Sequence, residues 1–166
     1  MTRTLILTRH AKSSWDTPGQ PDHERPLNKR GRASAEAIGR WLDAKGLRPD
    51  LVLCSAAVRT RETWDRMKLE AGEERFTDLL YHVTANQMLR ALNAAQGRTV
   101  LMLGHNPGLA DFAASLVAEP PEHARFEDYP TGATLVLDFD TDDWKRVAWH
   151  MGQVREFVLP RELLED

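Results

Sequence analysis

Leu5-Ile6-Leu7-Thr8-Arg9-His10-Ala11 and Val100-Leu101-Met102-Leu103-Gly104-His105-Asn106-Pro107-Gly108 decide how this chain is read. Each is an apolar run that ends in a turn bearing a histidine. That is the pattern of a buried strand whose carboxyl end meets a ligand, as open α/β sheets arrange their sites. A third apolar run, Leu51-Val52-Leu53-Cys54, leads into Ser55-Ala56-Ala57-Val58-Arg59-Thr60. Three strand ends therefore supply two histidines and two arginines. Such a set suits a phosphoryl group, because guanidinium forks match its oxygens and an imidazole can attack phosphorus.

The rest of the chain alternates strand and helix. After the strand over Leu5 to Thr8 comes a long polar loop, then Asn28 as a helix cap. Ala33, Ala37, Ile38, Trp41 and Leu42 form one helical face, and Gly46 stops the helix. Ser55 is expected to cap a helix running to about Gly72, followed by a short strand near Phe76 to Tyr81. Thr84 with Gln87 makes a capping box for a helix through Ala95. Asn106 caps another helix, with Pro107 at its first position. Ala133 to Phe139 and Lys145 to Met151 read as a hairpin around Asp140 to Asp143. The expected fold is α/β: a three-layer α/β/α sandwich with a mostly parallel mixed sheet, as a single domain over residues 1–166.

Composition narrows the partners. The chain has 166 residues, enough to bury about 70% of its unfolded surface. Its formal charge of −3, with no concentrated basic face, gives no reason to expect nucleic acid. No apolar run approaches the ~20 residues that span a bilayer, and Met1-Thr2-Arg3 leads straight into the first strand, so a cytoplasmic protein is expected. Cys54, the one cysteine, excludes an internal disulfide and reads as a buried inert thiol. Asp138, Asp140, Asp142 and Asp143 begin like a calcium loop, but Asp143 and Trp149 stand where glycine and glutamate are required. The other histidines show no ligand spacing, so no metal and no cofactor are implied.

Arg9-His10, Arg59 and His105, in this order and setting, resemble the histidine phosphatase superfamily of phosphoglycerate mutase-like fold. Ala11 stands where that family usually has glycine. Arg-His-Ala, Arg25-Pro26-Leu27-Asn28-Lys29-Arg30-Gly31 and Gly104-His105-Asn106-Pro107-Gly108 are similar to its small SixA-type phosphohistidine phosphatase branch. The resemblance spans roughly Leu5 to Pro160.

It implies His10 as nucleophile, Arg9 and Arg59 as phosphate clamp, and His105 as a donor to a phosphate oxygen. Ser55 and Asn106 are further phosphate contacts that capping explains equally well. Arg25, Lys29 and Arg30 form a basic cluster for which a solvated face is the ordinary fate. Mutase-like relatives carry a glutamate acid where this chain reads Phe76-Thr77-Asp78-Leu79-Leu80-Tyr81-His82, so Asp78, His82, Asp16 and Asp22 are the substitutes to consider. The expected partner is a phosphorylated protein, such as a histidine-phosphotransfer domain, or else a small phosphate ester. A phosphoprotein-binding module without catalysis is the alternative from another class, though binding alone needs no nucleophile.

Overall fold

The structure, a computed structural model, describes residues 1–164, so the last two residues of the expected 1–166 domain lie outside it. Six strands form one sheet: β1 (Thr2–Arg9), β2 (Leu51–Ser55), β3 (Glu73–Thr77), β4 (Thr99–Gly104), β5 (Thr134–Asp140) and β6 (Gln153–Val158). Their order is β3-β2-β4-β1-β5-β6, parallel except at β5, which runs against both β1 and β6. Side chains alternate across the pleat, so each central strand feeds two cores. Leu5, Leu7, Val100, Met102, Leu135 and Leu137 face one side, where α3 (Ala85–Asn93) and α4 (Gly108–Leu116) pack. Ile6, Val52, Leu101, Leu103 and Val136 face the other, under α1 (Lys29–Ala44) and α2 (Val58–Met67), with Leu163 of α5 (Pro160–Leu163) against the same core. The sequence-based sandwich and its mixed sheet are thus the observed architecture.

This topology creates the crevice. From β1 and β2 the chain turns to the α1/α2 face, whereas from the intervening β4 it turns to the α4 face. Between strand ends whose connections leave in opposite directions, no backbone covers the sheet edge. The turns bearing His10, Ser55 and His105 open there.

Several element boundaries differ from the sequence expectation. Ser55 ends β2 instead of capping α2; Ala57 holds the cap position without a side-chain bond, and α2 stops at Met67, where Lys68 turns left-handed at φ 54°. The third strand is Glu73–Thr77, because the Thr77 hydroxyl accepts from Leu79 N–H and starts a 3-10 turn over Asp78–Leu80. Pro107, not Asn106, holds the cap position of α4, although Asn106 Oδ1 still accepts from Ala110 N–H at 3.2 Å. The strand expected at Lys145 to Met151 lies instead at Gln153–Val158. Trp144 and Val147 are pulled into the α3-side core, where Asn93 donates to both their carbonyls, and this tertiary packing overrides the local strand pattern. Ala33 points outward and Trp41 is half-buried, whereas Ala37, Ile38 and Leu42 are buried as expected and are joined by Ser34 and Ala35. Asn28 caps that helix by accepting from Gly31 N–H at 2.8 Å, and Thr84 with Gln87 forms the expected capping box.

Candidate active site

A cavity of about 400 Å³ opens at the carboxyl ends of β1, β2 and β4, lined by Arg9, His10, Arg59, His105 and Asn106 among others. The turn holding His10 is fixed from three sides. His10 N–H donates to the Gly104 carbonyl at 3.2 Å, Ala11 N–H donates to Thr63 Oγ1 of α2 at 3.0 Å, and Gly132 N–H donates to the Arg9 and His10 carbonyls. Gly132 sits at φ 75°, a conformation that side chains resist. Position 31 also requires glycine: a Cβ there would stand 2.0 Å from the Lys12 carbonyl, so α1 presses directly on the loop after His10.

His10 Nδ1 lies 2.7 Å from the Ala11 carbonyl. A carbonyl can only accept, so Nδ1 carries the proton and Nε2 keeps its lone pair. Burial, aided by the charges of Arg9, Arg59 and Arg25, pushes the His10 pKa down to about 3 despite the opposing bond to Ala11, so the ring is neutral at pH 7. His105 is stacked obliquely beside it, with ring centroids 5.3 Å apart. Burial and the neighbouring His10, Arg59 and His82 lower its pKa to about 2, so it too is neutral.

The tautomer of His105 follows from Ser55. Ser55 Oγ accepts from Ala57 N–H at 3.3 Å and lies 2.8 Å from His105 Nε2. Nε2 is the one acceptor within reach of that hydroxyl's proton among the described residues, so the hydroxyl donates to Nε2 and the His105 proton is assigned to Nδ1. That Nδ1, Arg9 Nε and Arg59 Nε are three of the four buried polar side-chain atoms without a partner among the described residues. The fourth, Arg3 Nε, belongs to the far end of β1. Buried donors are ordinarily satisfied, so three orphans on one cavity mark a place for an acceptor-rich anion.

Arg59 is 2% exposed, and its outer nitrogens are engaged. Nη1 donates to the Asp22 carbonyl at 2.7 Å and Nη2 to Asp22 Oδ2 at 2.9 Å. Tyr81 Oη donates to the same carboxylate oxygen at 2.5 Å, and His82 Nε2 lies 3.1 Å from it. Burial opposes ionisation of Asp22, but the bonds from Tyr81, His82 and Arg59 outweigh it and hold the carboxyl well below the usual range. Burial and the neighbouring Arg59 cation lower the Arg9 guanidinium from its ordinary value.

Of the substitute acids, Asp22 and His82 reach the cavity, whereas Asp78 is paired with His23 at 2.8 Å and Asp16 stands exposed in the loop, neither lining it. Asn106 lines the cavity, but its side-chain amide is committed to the Asp128 and Tyr129 carbonyls. The basic cluster divides: Lys29 and Arg30 are exposed, while Arg25 is 8% exposed, donates to Ser13 Oγ at 2.7 Å and lies under the exposed Trp15 ring at 3.6 Å. Leu27, at 1% exposure, drags the chain into the core between them, and that apolar residue was the available signal. Tyr81 gave no signal, since its contact with Asp22 spans 59 positions. Among the described residues no three His, Cys, Asp or Glu side chains are grouped to hold a metal ion, and no helix is long and apolar enough to cross a membrane.

Fold and site together define a histidine phosphatase. The family described as histidine phosphatase superfamily (branch 1) matches residues 5–79, and the chain belongs to that superfamily. An uncharacterised protein of Mycobacterium tuberculosis is 33% identical over 153 residues, covering 88% of this chain and 90% of its own. An uncharacterised chloroplastic protein of Arabidopsis thaliana is 33% identical over 130 residues, 70% of this chain; this chain spans only 60% of that relative's length. Among solved structures, a Nakamurella multipartitia protein provisionally named phosphohistidine phosphatase SixA superposes with a TM-score of 0.84 at 28% identity, covering 96% of this chain and 97% of its own. A protein histidine phosphatase SixA complexed with tungstate shares the fold at a TM-score of 0.71 and 19% identity, covering 97% of this chain and 99% of its own.

Proposed function

We propose that this protein hydrolyses phosphohistidine on another protein through a phospho-His10 intermediate, with protein side chains alone stabilising the transferred group. The observation that carries this reading is the trio of buried, unpartnered donors around His10: Arg9 Nε, Arg59 Nε and His105 Nδ1. In the first step the His10 Nε2 lone pair forms a bond to phosphorus while the substrate's phosphorus–nitrogen bond breaks. The leaving imidazole takes its proton from solvent and departs neutral. In the second step water attacks phospho-His10, its proton passes to solvent, and the bond to Nε2 breaks to release phosphate. The arginines and His105, which line the cavity, hold the equatorial oxygens in both steps.

The leaving group is chosen by what the site can protonate. An alkoxide needs a placed acid, whose contribution is ~100- to 10,000-fold. Asp22 is held ionised by its three donors and cannot serve at neutral pH, His82 lines the cavity but directs Nε2 at the Asp22 carboxylate at 3.1 Å, and Asp16 and Asp78 do not line the cavity. An imidazole needs no such help. The mouth is also open: Asp22 and His82 have side chains 44% and 47% exposed, and Trp15 is 77% exposed at the rim. A histidine standing on a partner's surface can enter such a mouth. The two SixA-named structures support the same choice of substrate.

The test compares kcat/KM on a phosphorylated histidine-phosphotransfer protein with that on an unactivated sugar phosphate. The proposal requires a clear preference for the protein. Equal or better efficiency on the sugar phosphate would contradict it.

A further inference from the structure

A second cavity of about 350 Å³ adjoins the catalytic one, and Lys12 and Thr131 line both. Four cations line this groove: Lys12, Arg30, Arg125 and Arg161. Arg125 is held by Asp128 at 2.9 Å, but Lys12, Arg30 and Arg161 form no ion pair among the described residues. The fold itself concentrates this charge. Close approach of Gly31 to the Lys12 carbonyl, together with the Asn28 N–H bond to that carbonyl at 3.0 Å, sets the first turn of α1 against the loop after His10. Arg30 therefore stands beside Lys12. That first turn carries Lys29 and Arg30 with no acidic residue, although a helix amino end disfavours cations. In a chain of net charge −3, a groove with four cations on its lining, running out of the catalytic pocket, is a local exception.

We infer that this groove is an anion subsite for the protein substrate, taking a carboxylate side chain that flanks the phosphohistidine; the inference rests on the phosphoprotein reading above. Lys12, at the junction, faces both the transferred phosphoryl group and the flanking carboxylate. Arg30 and Arg161, both exposed, complement that carboxylate by charge. Exposed pairs of this kind contribute modestly and are screened by salt, so the subsite acts as a selector among substrates and not as the main source of affinity.

The experiment uses two phosphohistidine peptides that differ only in glutamate or glutamine beside the phosphohistidine. Wild type and the Arg30→Gln/Arg161→Gln double variant are compared, with unfolding curves recorded for both. Wild type is expected to favour the glutamate peptide by roughly three- to tenfold in kcat/KM. That ratio should fall toward one in the variant and in wild type at high salt. Equal rates on the two peptides in wild type, or an undiminished ratio in the variant, would overturn the subsite. A parallel pair of small phosphate esters, with and without a carboxylate, separates the two sources of anion. A ratio that depends on the arginines only in the ester pair would overturn the protein occupant. If wild type cleaves an aryl phosphate but neither peptide, it is the phosphohistidine reading itself that fails.

Discussion

Replacing Ser55 by alanine removes one oxygen from a residue that is fully buried and, contrary to the phosphate contact expected of it, does not line the cavity. Its hydroxyl nevertheless decides where the His105 proton sits, through the 2.8 Å contact with Nε2. Without it, the proton is free to occupy Nε2, and the tautomer that offers Nδ1–H to a phosphoryl oxygen loses its bias. A neutral hydrogen bond is worth about 0.5–1.5 kcal/mol net, which converts to roughly a two- to thirteenfold fall in kcat. Deleting His105 itself removes a bond to a charged oxygen, worth about 1.5–3 kcal/mol, or roughly 13- to 160-fold. Because Ser55 is a positioning residue acting through His105, the two losses should not add. The assay is a double-mutant cycle on initial rates with a phosphohistidine peptide: wild type, Ser55→Ala, His105→Ala and the double variant. The double variant should be no slower than His105→Ala. If the losses multiply, Ser55 acts on something other than His105 and the tautomer assignment is wrong.

Arg59→Ala should lower kcat/KM by about ten- to a hundredfold or more, since it removes a charged donor to the phosphoryl group; steady-state kinetics with a folded variant checks this. Asp22→Asn should weaken the competing hold on Arg59 and reduce repulsion of an incoming anion, so the inhibition constant for tungstate should fall; a rise would assign Asp22 a constructive part in anion binding. The pH dependence of stability follows from His10. Its folded pKa of about 3 lies below the unfolded value near 6.5, so below 6.5 the unfolded chain binds a proton that the native state refuses. The stability this group contributes is complete above pH 6.5 and is lost as pH falls toward 3. Melting temperatures measured between pH 7 and pH 4 should therefore fall in wild type and fall less steeply in His10→Ala.

The sequence exposed those parts of the molecule that rest on local chemistry. The three central strands were readable to within one residue of their ends at Arg9, Ser55 and Gly104, because both faces of each are buried and the runs are almost continuously apolar. Asn28 and the Thr84–Gln87 pair were readable because capping is satisfied within four residues. The placement of β4 between β2 and β1, which gathers Arg9, His10, Arg59 and His105 on one cavity with Ser55 behind His105, is a long-range choice that no window of sequence contains. The same holds for Asp22, which reaches Arg59 across 37 positions and Tyr81 across 59. The final strand was misplaced because Trp144 and Val147, apolar enough for a strand, pack instead beneath α3.

The central claim is that His10 Nε2, left unprotonated by the Nδ1 bond to the Ala11 carbonyl, accepts the phosphoryl group. Rapid acid-free quench of the enzyme during turnover of a ³²P-labelled phosphohistidine protein, followed by peptide mapping, tests it directly. Label that is acid-labile, base-stable and confined to the peptide bearing His10, and absent from His10→Ala, is the predicted result. Sustained turnover by His10→Ala, with no labelled peptide in wild type, would contradict the account.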